Sequence, residues 1–299
     1  MSTAVSIDSR THDGTEPAAE HLPGSVGAAI ESGVLPDRVW VYSNYHCNLE
    51  CAYCLTESAP RSKRRIIGPE HMVAIAEQAA ALGFRAVGVT GGEPFMRRDM
   101  VAVVTAMAEH LPVTVLTNGT LFGGDRLDML DPLLGKRVRF QISLDSPDAE
   151  PNDEMRGPLN YAKVVEAVPR MVQRGHTVRI ATTIEEGQMT PDDRSRLCAM
   201  HRGWGITDDD HLVRPIITSG RAEDTGMGVR FERDQLPAEL TIADHGAFWS
   251  PFGPTIHNGR TDTHLLITRT TLPLEVPAQA LLGLVEGRPP GADASIGIR

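Results

Sequence analysis

An alternation of strand-like and helix-like segments between residues 37 and 219 restricts the fold more than any other feature of the sequence. Six short segments rich in β-branched and other apolar residues predict strands, at Arg38–Ser43, Ala86–Thr90, Val113–Thr117, Arg139–Leu144, Thr177–Ile184 and Leu212–Ile216. Five segments with apolar residues at helical spacing lie between them, at Pro69–Leu82, Arg98–His110, Leu127–Leu134, Tyr161–Arg174 and Pro191–Arg202. Strands that alternate with helices build right-handed βαβ units around a parallel sheet. Six such units predict an α/β fold, an open and partial (β/α)₆ TIM-like barrel, with Pro169 expected to kink or shorten the fourth helix.

The segments outside this core, which we assign to residues 37–219, differ from it in composition. Residues 1–36 are rich in small and polar residues and lack periodicity, so we expect a flexible lead-in with one short helix. Residues 220–285 contain frequent turn sequences and predict a small α+β C-terminal cap. Three short segments of this cap are candidates for antiparallel pairing, at Leu240–Ala243, Ala247–Ser250 and His264–Thr268. We expect residues 286–299 to form a loose tail.

The net charge limits the classes of partner. The chain has 29 Lys and Arg residues against 39 Asp and Glu residues, which gives −10. A negative field of this size repels phosphate backbones, so we expect no nucleic-acid partner. The chain has no apolar run of the roughly 20 residues that span a bilayer and no N-terminal pattern of a secretory signal. We therefore expect a cytoplasmic protein without a membrane partner.

Three of the four cysteines lie in one short loop after the first predicted strand. Cys47, Cys51 and Cys54 have the spacing C-x₃-C-x₂-C, and clustering of this kind is typical of metal ligation rather than of a disulfide framework. Three thiolates can surround an iron–sulfur cube, and because a [4Fe–4S] cluster normally takes four cysteines, one iron would keep an open coordination position. The alternative is a structural zinc site with His46 or His71 as the fourth ligand, although zinc sites usually show paired ligands further along the chain.

Further motifs follow the other predicted strands. Ligands of a parallel α/β sheet gather at the carboxyl ends of the strands, so we expect these motifs to meet at one edge. Thr90-Gly91-Gly92-Glu93-Pro94 follows the second strand, Thr117-Asn118-Gly119 follows the third, and Ser143-Leu144-Asp145-Ser146 ends the fourth. Glycine and proline are common in plain turns, but a turn alone does not require Glu93.

The cysteine loop, together with the Gly91–Pro94 motif one βα unit later, resembles the radical S-adenosylmethionine (radical SAM) superfamily from about residue 39 to about residue 215. Additional residues resemble the branch that contains peptide maturases and their sugar-modifying relatives, at Thr117–Gly119, Ser143–Asp145, Asp153 and Arg156–Gly157. The resemblance implies an enzyme with one [4Fe–4S] cluster, S-adenosylmethionine (SAM) and a reductant such as flavodoxin or ferredoxin. It also implies that the reduced cluster cleaves SAM to a 5′-deoxyadenosyl radical, which abstracts a hydrogen atom from the substrate.

The resemblance implies a role for each matching residue. The three loop thiolates would ligate three irons, and the amino and carboxylate groups of SAM would chelate the fourth. Gly91, Gly92 and Glu93 would bind the amino group of SAM. Ser143 would contact its carboxylate or ribose, and Arg156 would pair with its carboxylate. Tyr53 would lie near its adenine. Glycine permits close backbone approach, a carboxylate suits an ammonium group, and a guanidinium fork suits a carboxylate.

The substrate side is less defined. Asn118 and Asp145 are candidates for the ribose or the substrate, and Arg214 is a candidate because it ends the sixth predicted strand, with Arg221 as a further one. Cys198 lies on a predicted outer helix, which favours a packed thiol, and the alternative is a hydrogen-atom donor to a substrate radical.

Many relatives carry a cysteine-rich C-terminal extension, called SPASM or twitch, that binds auxiliary clusters. Only Cys198 follows the loop in this chain, so we expect one cluster per chain. The absence of an auxiliary electron acceptor favours a redox-neutral reaction over oxidation of the substrate. The sequence favours a small-molecule substrate, a sugar or natural-product intermediate; the alternatives are oxidation or maturation of a peptide and, from another class, a non-catalytic Fe–S or zinc protein.

Overall fold

Six parallel strands in sequence order form the main sheet of the computed structural model, which describes residues 25–286. Their bounds are β1 Arg38–Tyr42, β2 Ala86–Thr90, β3 Val113–Thr117, β4 Val138–Ser143, β5 Thr177–Ile184 and β6 His211–Pro215. Each strand pairs in parallel with the next, from β1–β2 to β5–β6. The predicted α/β fold and its partial barrel are confirmed, with each of the six predicted barrel strands found within one residue of its expected ends.

The helices that cover this sheet are α1 Val26–Glu31, α2 Pro69–Ala81, α3 Met100–His110, α4 Ala149–Arg156, α5 Asn160–Gln173, α6 Pro191–Gly203, α7 Ala222–Thr225 and α8 Glu275–Glu286. The helix predicted at Leu127–Leu134 falls in a 3₁₀-helical segment, Gly124–Leu133, which contains Pro132, and proline cannot donate the backbone hydrogen bond of a longer α-helix. Pro169 does not shorten its helix as expected, because α5 continues past it to Gln173.

The interior of the barrel is filled by Trp40 of β1, which is fully buried. Gly88 lies opposite it on β2, and a β-carbon at position 88 would lie 2.2 Å from the indole ring. The indole N–H donates a hydrogen bond to the carboxylate of Glu239, whose pKa is raised by burial. Only glycine at position 88 leaves room for the Trp40 ring inside the barrel. The hydrogen bond from Trp40 to Glu239 connects the barrel to the chain that follows β6.

The C-terminal region continues the barrel sheet beyond β1. The remaining strands are β7 Thr241–Ala243, β8 Gly246–Phe248, β9 Ile256–His257, β10 Arg260–Thr261 and β11 Leu266–Thr268. The three predicted cap strands do pair antiparallel, β7 with β8 and β8 with β11. Because β7 also pairs in parallel with β1, the result is one nine-stranded sheet in the order β11-β8-β7-β1-β2-β3-β4-β5-β6. The domain boundary after residue 219 stays a prediction.

The two ends of the chain are only partly described. Most of the predicted lead-in and the predicted tail, residues 1–24 and 287–299, lie outside the described residues. Within the described residues, helix α1 near the N-terminal end contacts helix α8 near the C-terminal end. Helix α8 was not predicted from the sequence. Between residues 25 and 286, no helix combines the length and the apolar character needed to cross a membrane.

Candidate active site

A cavity of about 220 Å³ opens at the carboxyl ends of the parallel strands. It is lined by the three loop cysteines and by residues from the other predicted strand-end motifs, among them Tyr53, Gly91, Gly92, Asn118, Ser143, Arg156 and Arg214. Pro251 and Phe252, from the region after β8, form part of its wall. The structure thus brings together in one cavity most of the residues that the strand-end argument selected, whereas Glu93 and Asp145 lie behind its wall and are buried.

The cysteine loop presents three free thiols to this cavity. Cys47 is buried, while Cys51 and Cys54 are half-buried. Backbone N–H groups donate to two of the sulfurs, Leu49 to Cys47 at 3.4 Å and Ser58 to Cys54 at 3.3 Å. Burial raises the pKa of Cys47 to about 12 and that of Cys51 to about 11. Burial makes Cys47 and Cys51 poor nucleophiles, and three clustered thiols are a donor set that fits a metal centre.

The spacing of the sulfurs can be compared with that of a zinc site. In a tetrahedral zinc site the ligand sulfurs lie about 3.8 Å apart, since each Zn–S bond is about 2.3 Å long. Within the described part of the chain, the only Cys, His, Asp or Glu group with all ligand atoms within 4.8 Å of one another is Glu57, Asp224 and His257, which contains no cysteine. The three loop sulfurs therefore do not all lie at the spacing of a tetrahedral zinc site in this structure.

Residues far along the chain hold the cysteine loop in place. Arg221 donates hydrogen bonds to the carbonyl oxygens of Cys51 at 2.5 Å and Ser58 at 3.2 Å, and its backbone N–H donates to Cys54. Gly220 packs so closely that a β-carbon there would lie 2.4 Å from the carbonyl oxygen of Leu55. The expectation that Arg221 lies at the substrate end is wrong, because its guanidinium binds the loop backbone. A Gly-Arg pair after a strand carries no signal for this role in a single sequence.

The two glycines after β2 pack against the segment that precedes Cys47. A β-carbon at Gly91 would lie 2.2 Å from the carbonyl oxygen of Asn44, and one at Gly92 would lie 2.2 Å from that of His46. The backbone N–H of Gly92 donates to Asn44 at 2.8 Å. The close approach that these glycines permit in the structure is thus between two loops. The predicted contact with the amino group of SAM stays a prediction.

Glu93 supports the same loops from within the protein. Its carboxylate is fully buried and accepts hydrogen bonds from the backbone of Phe95 at 3.0 Å, the hydroxyl of Thr117 at 2.8 Å and the backbone of Asn118 at 2.8 Å. Burial raises the pKa of Glu93 to about 7, and these three donors oppose the shift. The carboxylate joins the loop after β2 to the end of β3, so its predicted contact with a cofactor amine stays a prediction.

Asn118 also acts within the protein. Its amide nitrogen donates to the side chain of Asn48 at 2.9 Å and lies 3.6 Å from the sulfur of Cys47, while its amide oxygen accepts from the hydroxyl of Thr120 at 2.6 Å. These contacts attach the end of β3 to the cysteine loop. Asn118 lines the cavity, but its hydrogen bonds serve the loop.

Half-buried Tyr53 and buried Asp145 and Arg156 form one hydrogen-bonded cluster beside the cysteines. The Tyr53 hydroxyl donates to Asp145 at 2.5 Å, and Arg156 donates to Asp145 at 3.1 Å and to the Tyr53 oxygen. The second oxygen of Asp145 accepts from the backbone of Thr183 at 2.9 Å. Burial alone would lower the pKa of Arg156, but the adjacent Asp145 carboxylate helps to raise it well above its usual value. Ser143, half-buried on the adjacent strand end, completes this wall of the cavity.

Cys198 lies apart from the cavity. Its sulfur is 3.8 Å from a ring nitrogen of His211, the first residue of β6 and therefore at the end of the sheet opposite the cavity. This position agrees with the predicted packed thiol and places it away from the three loop cysteines.

The comparisons with known proteins agree with this fold and site. Residues 41–186 match the family model of the radical SAM superfamily. The chain is 30% identical over 182 residues to mycofactocin maturase MftC of Mycolicibacterium smegmatis, covering 60% of this chain and 44% of that protein. It is 29% identical over 216 residues to a GTP 3′,8-cyclase of Pseudomonas fluorescens, covering 70% of this chain and 63% of that protein.

Among solved structures, Streptococcus suis SuiB bound to precursor peptide SuiA shares the fold, with a TM-score of 0.56, 20% identity and coverage of 70% of this chain and 46% of that one. The fold and the cysteine-lined cavity define an α/β barrel protein of the iron–sulfur class. The chain contains a radical SAM domain at residues 41–186, and members of that superfamily use a [4Fe–4S] cluster and SAM. It spans less than two thirds of the length of these relatives.

Proposed function

We propose that this protein is a radical SAM enzyme that acts on a small molecule, a sugar or a natural-product intermediate, in a redox-neutral reaction. The observation that carries the proposal is the cavity in which three free cysteines face the strand-end motifs. Cys47, Cys51 and Cys54 would ligate three irons of one [4Fe–4S] cluster. When bound, the cluster and SAM supply a 5′-deoxyadenosyl radical that abstracts hydrogen from the substrate.

The protein's own residues bind and orient SAM and the substrate, and they exclude water. Gly91, Gly92 and Glu93 would bind the amino group of SAM, and Glu93 also supports the loop that carries them. Ser143 and Arg156 would contact its carboxylate or ribose, and Tyr53 would lie near its adenine. Asp145 orients Arg156 and Tyr53 through its hydrogen bonds and is thus a positioning residue, as is Asn118 for the cysteine loop.

Two features support a small substrate and a redox-neutral outcome. Pro251 and Phe252 form part of the cavity wall, which limits the size of a substrate that enters it. After the loop, the chain has only Cys198, so it lacks ligands for a second cluster of the usual Cys₄ type. A hydrogen abstraction without an auxiliary electron acceptor favours epimerisation, elimination, decarboxylation or rearrangement. The reductant would be a flavodoxin or ferredoxin, and the expected cytoplasmic location stays a prediction.

The test is SAM cleavage by oxygen-free protein with a reconstituted cluster and dithionite. We expect release of 5′-deoxyadenosine, its loss in Cys51→Ala and its retention in Cys198→Ala. Protein that keeps its iron but releases no 5′-deoxyadenosine would support a non-catalytic Fe–S protein instead. Deuterium transfer from substrate to 5′-deoxyadenosine, with a product at the substrate's oxidation level, would support the redox-neutral class, and an oxidised product would contradict it.

A peptide substrate is the second candidate. The similarity to a maturase and to a structure bound to a precursor peptide supports it, although the chain spans less than half of either protein. A modified peptide, detected by mass spectrometry after incubation with peptides encoded next to this gene, would favour it over the small molecule.

A further inference from the structure

Arg214 is a charged side chain in the cavity without a charged partner. It lies near the end of β6, opposite Thr183 of β5, and lines the cavity. Within residues 25–286, its guanidinium makes no hydrogen bond and no ion pair, and its Nε is buried without a hydrogen-bond partner. Arg214 is half-buried, and even partial burial of an unpaired charge is costly, so proteins usually provide a partner for it.

The nearby groups do not supply that partner. Asp145 acts on Arg214 electrostatically, but both of its oxygens already accept hydrogen bonds, from Arg156, Tyr53 and the backbone of Thr183. Tyr42, also nearby, donates its hydroxyl to the carbonyl oxygen of Pro251 at 2.6 Å. Burial lowers the pKa of Arg214. An arginine nevertheless stays protonated in proteins, so the cavity keeps a positive charge.

Gln141 of β4 is a second group with unused hydrogen-bonding capacity in the same cavity. It is buried, and its side-chain oxygen has no hydrogen-bond partner in the structure. The cavity is therefore lined by one guanidinium without a counter-ion and one carboxamide with unused hydrogen-bonding capacity, so it suits a ligand with an anionic group and a polar group. A ligand with both kinds of group would satisfy both residues.

We propose that the substrate carries an anionic group, a carboxylate or a phosphate, and that Arg214 binds it. This inference rests on the proposed function, since it concerns the substrate of the same cavity. The planar fork of arginine pairs with either anion through two parallel hydrogen bonds. Of the four residues expected on the substrate side, Asn118, Asp145 and Arg221 are used within the protein, and Arg214 is the one that remains available.

The first experiment measures anion binding by thermal shift and does not require turnover. Succinate and inorganic phosphate are the probes, with chloride at equal ionic strength as the reference. We expect at least one probe to stabilise the wild type, with about tenfold weaker binding in Arg214→Lys and none in Arg214→Gln. Arg139→Gln, at the opposite end of the barrel, is the matched control and should bind as the wild type does. Equal binding by Arg214→Gln, or no response of the wild type, would overturn the proposal.

The second experiment separates the substrate from the cofactor. SAM binding is measured by equilibrium dialysis on protein with a reconstituted cluster, and Arg214→Gln should bind SAM as the wild type does. A loss of tenfold or more would assign Arg214 to the carboxylate of SAM and overturn the proposal. In a substrate screen read by 5′-deoxyadenosine release, acids should respond and their methyl esters should not. Absence of any SAM cleavage by the wild type would instead count against the proposed function, while the binding result would stand.

Discussion

The guanidinium of Arg221 donates a hydrogen bond to the carbonyl oxygen of Cys51 at 2.5 Å, across 170 residues of sequence. A second hydrogen bond reaches Ser58, so one side chain fixes the loop on both sides of Cys54. The chain after β6 thus stabilises the conformation in which three thiols face one cavity. Hydrogen bonds from a charged donor contribute more than neutral ones, about 1.5–3 kcal/mol each.

Replacement of Arg221 should make the cysteine loop more mobile and weaken its binding of iron. We expect Arg221→Met to fold but to retain less than half of the wild-type iron after gel filtration, because two carbonyl oxygens lose their donor. Arg221→Lys should retain an intermediate amount, since a single ammonium cannot follow the fork geometry. Iron and sulfide analysis checks this, with Arg230→Met, an exposed arginine, as control. Full iron retention in Arg221→Met would show that the loop keeps its conformation without this contact.

Gly92 provides a test of the contact between the two loops. A β-carbon would lie 2.2 Å from the backbone oxygen of His46, and backbone cannot move aside as a flexible side chain can. We expect Gly92→Ala to lower the free energy of unfolding by about 2 kcal/mol or more, within the range for strained or overpacked sites. Gly283→Ala is the control, because Gly283 lies in α8 with nothing within 4 Å of an added β-carbon. That variant should be stabilised by about 0.5–1 kcal/mol, as measured by urea unfolding of both variants.

Local pattern and tertiary context explain which features the sequence predicts. The strands are predictable because buried β-branched residues recur at strand length, as in Ala86–Thr90. Helix α4 is not, because Ala149–Arg156 buries only Asn152 and Arg156 and has no apolar periodicity. The cavity could be predicted because strand ends meet at one edge, whereas the contacts of Glu93 depend on which loop packs behind it. A role set by tertiary packing leaves no trace in residue spacing.

A pair of histidines should make the fold sensitive to acid. His201 is fully buried, its ring lies 4.5 Å from that of His211, and neither of its nitrogens has a hydrogen-bond partner in the described structure. Burial lowers the pKa of His201 to about 3 and that of His211 to about 4. Below pH 6.5 the unfolded chain therefore binds more protons than the folded chain. The free energy of unfolding is thus higher at pH 8 and decreases as the pH falls.

The contribution of His201 can be isolated by substitution. Its shift corresponds to about 2 kcal/mol of stability lost between pH 8 and pH 5. We expect His201→Phe to show a smaller difference in the free energy of unfolding between these two pH values, by about that amount, in urea titrations. His264→Phe, at an exposed position, should keep the wild-type difference. If His201→Phe also kept it, the acid sensitivity would have to come from other groups.

The number of clusters per chain follows from where the four cysteines lie. Three line the cavity, and Cys198 lies beside His211 at the other end of the sheet, so it cannot join them as a ligand. We expect about four irons per chain in reconstituted wild-type protein and in Cys198→Ala, and far fewer in Cys54→Ala. Analysis of iron and acid-labile sulfide, with Mössbauer spectra of the same samples, checks the count. A value near eight irons in the wild type would mean that ligands other than these cysteines hold a second cluster.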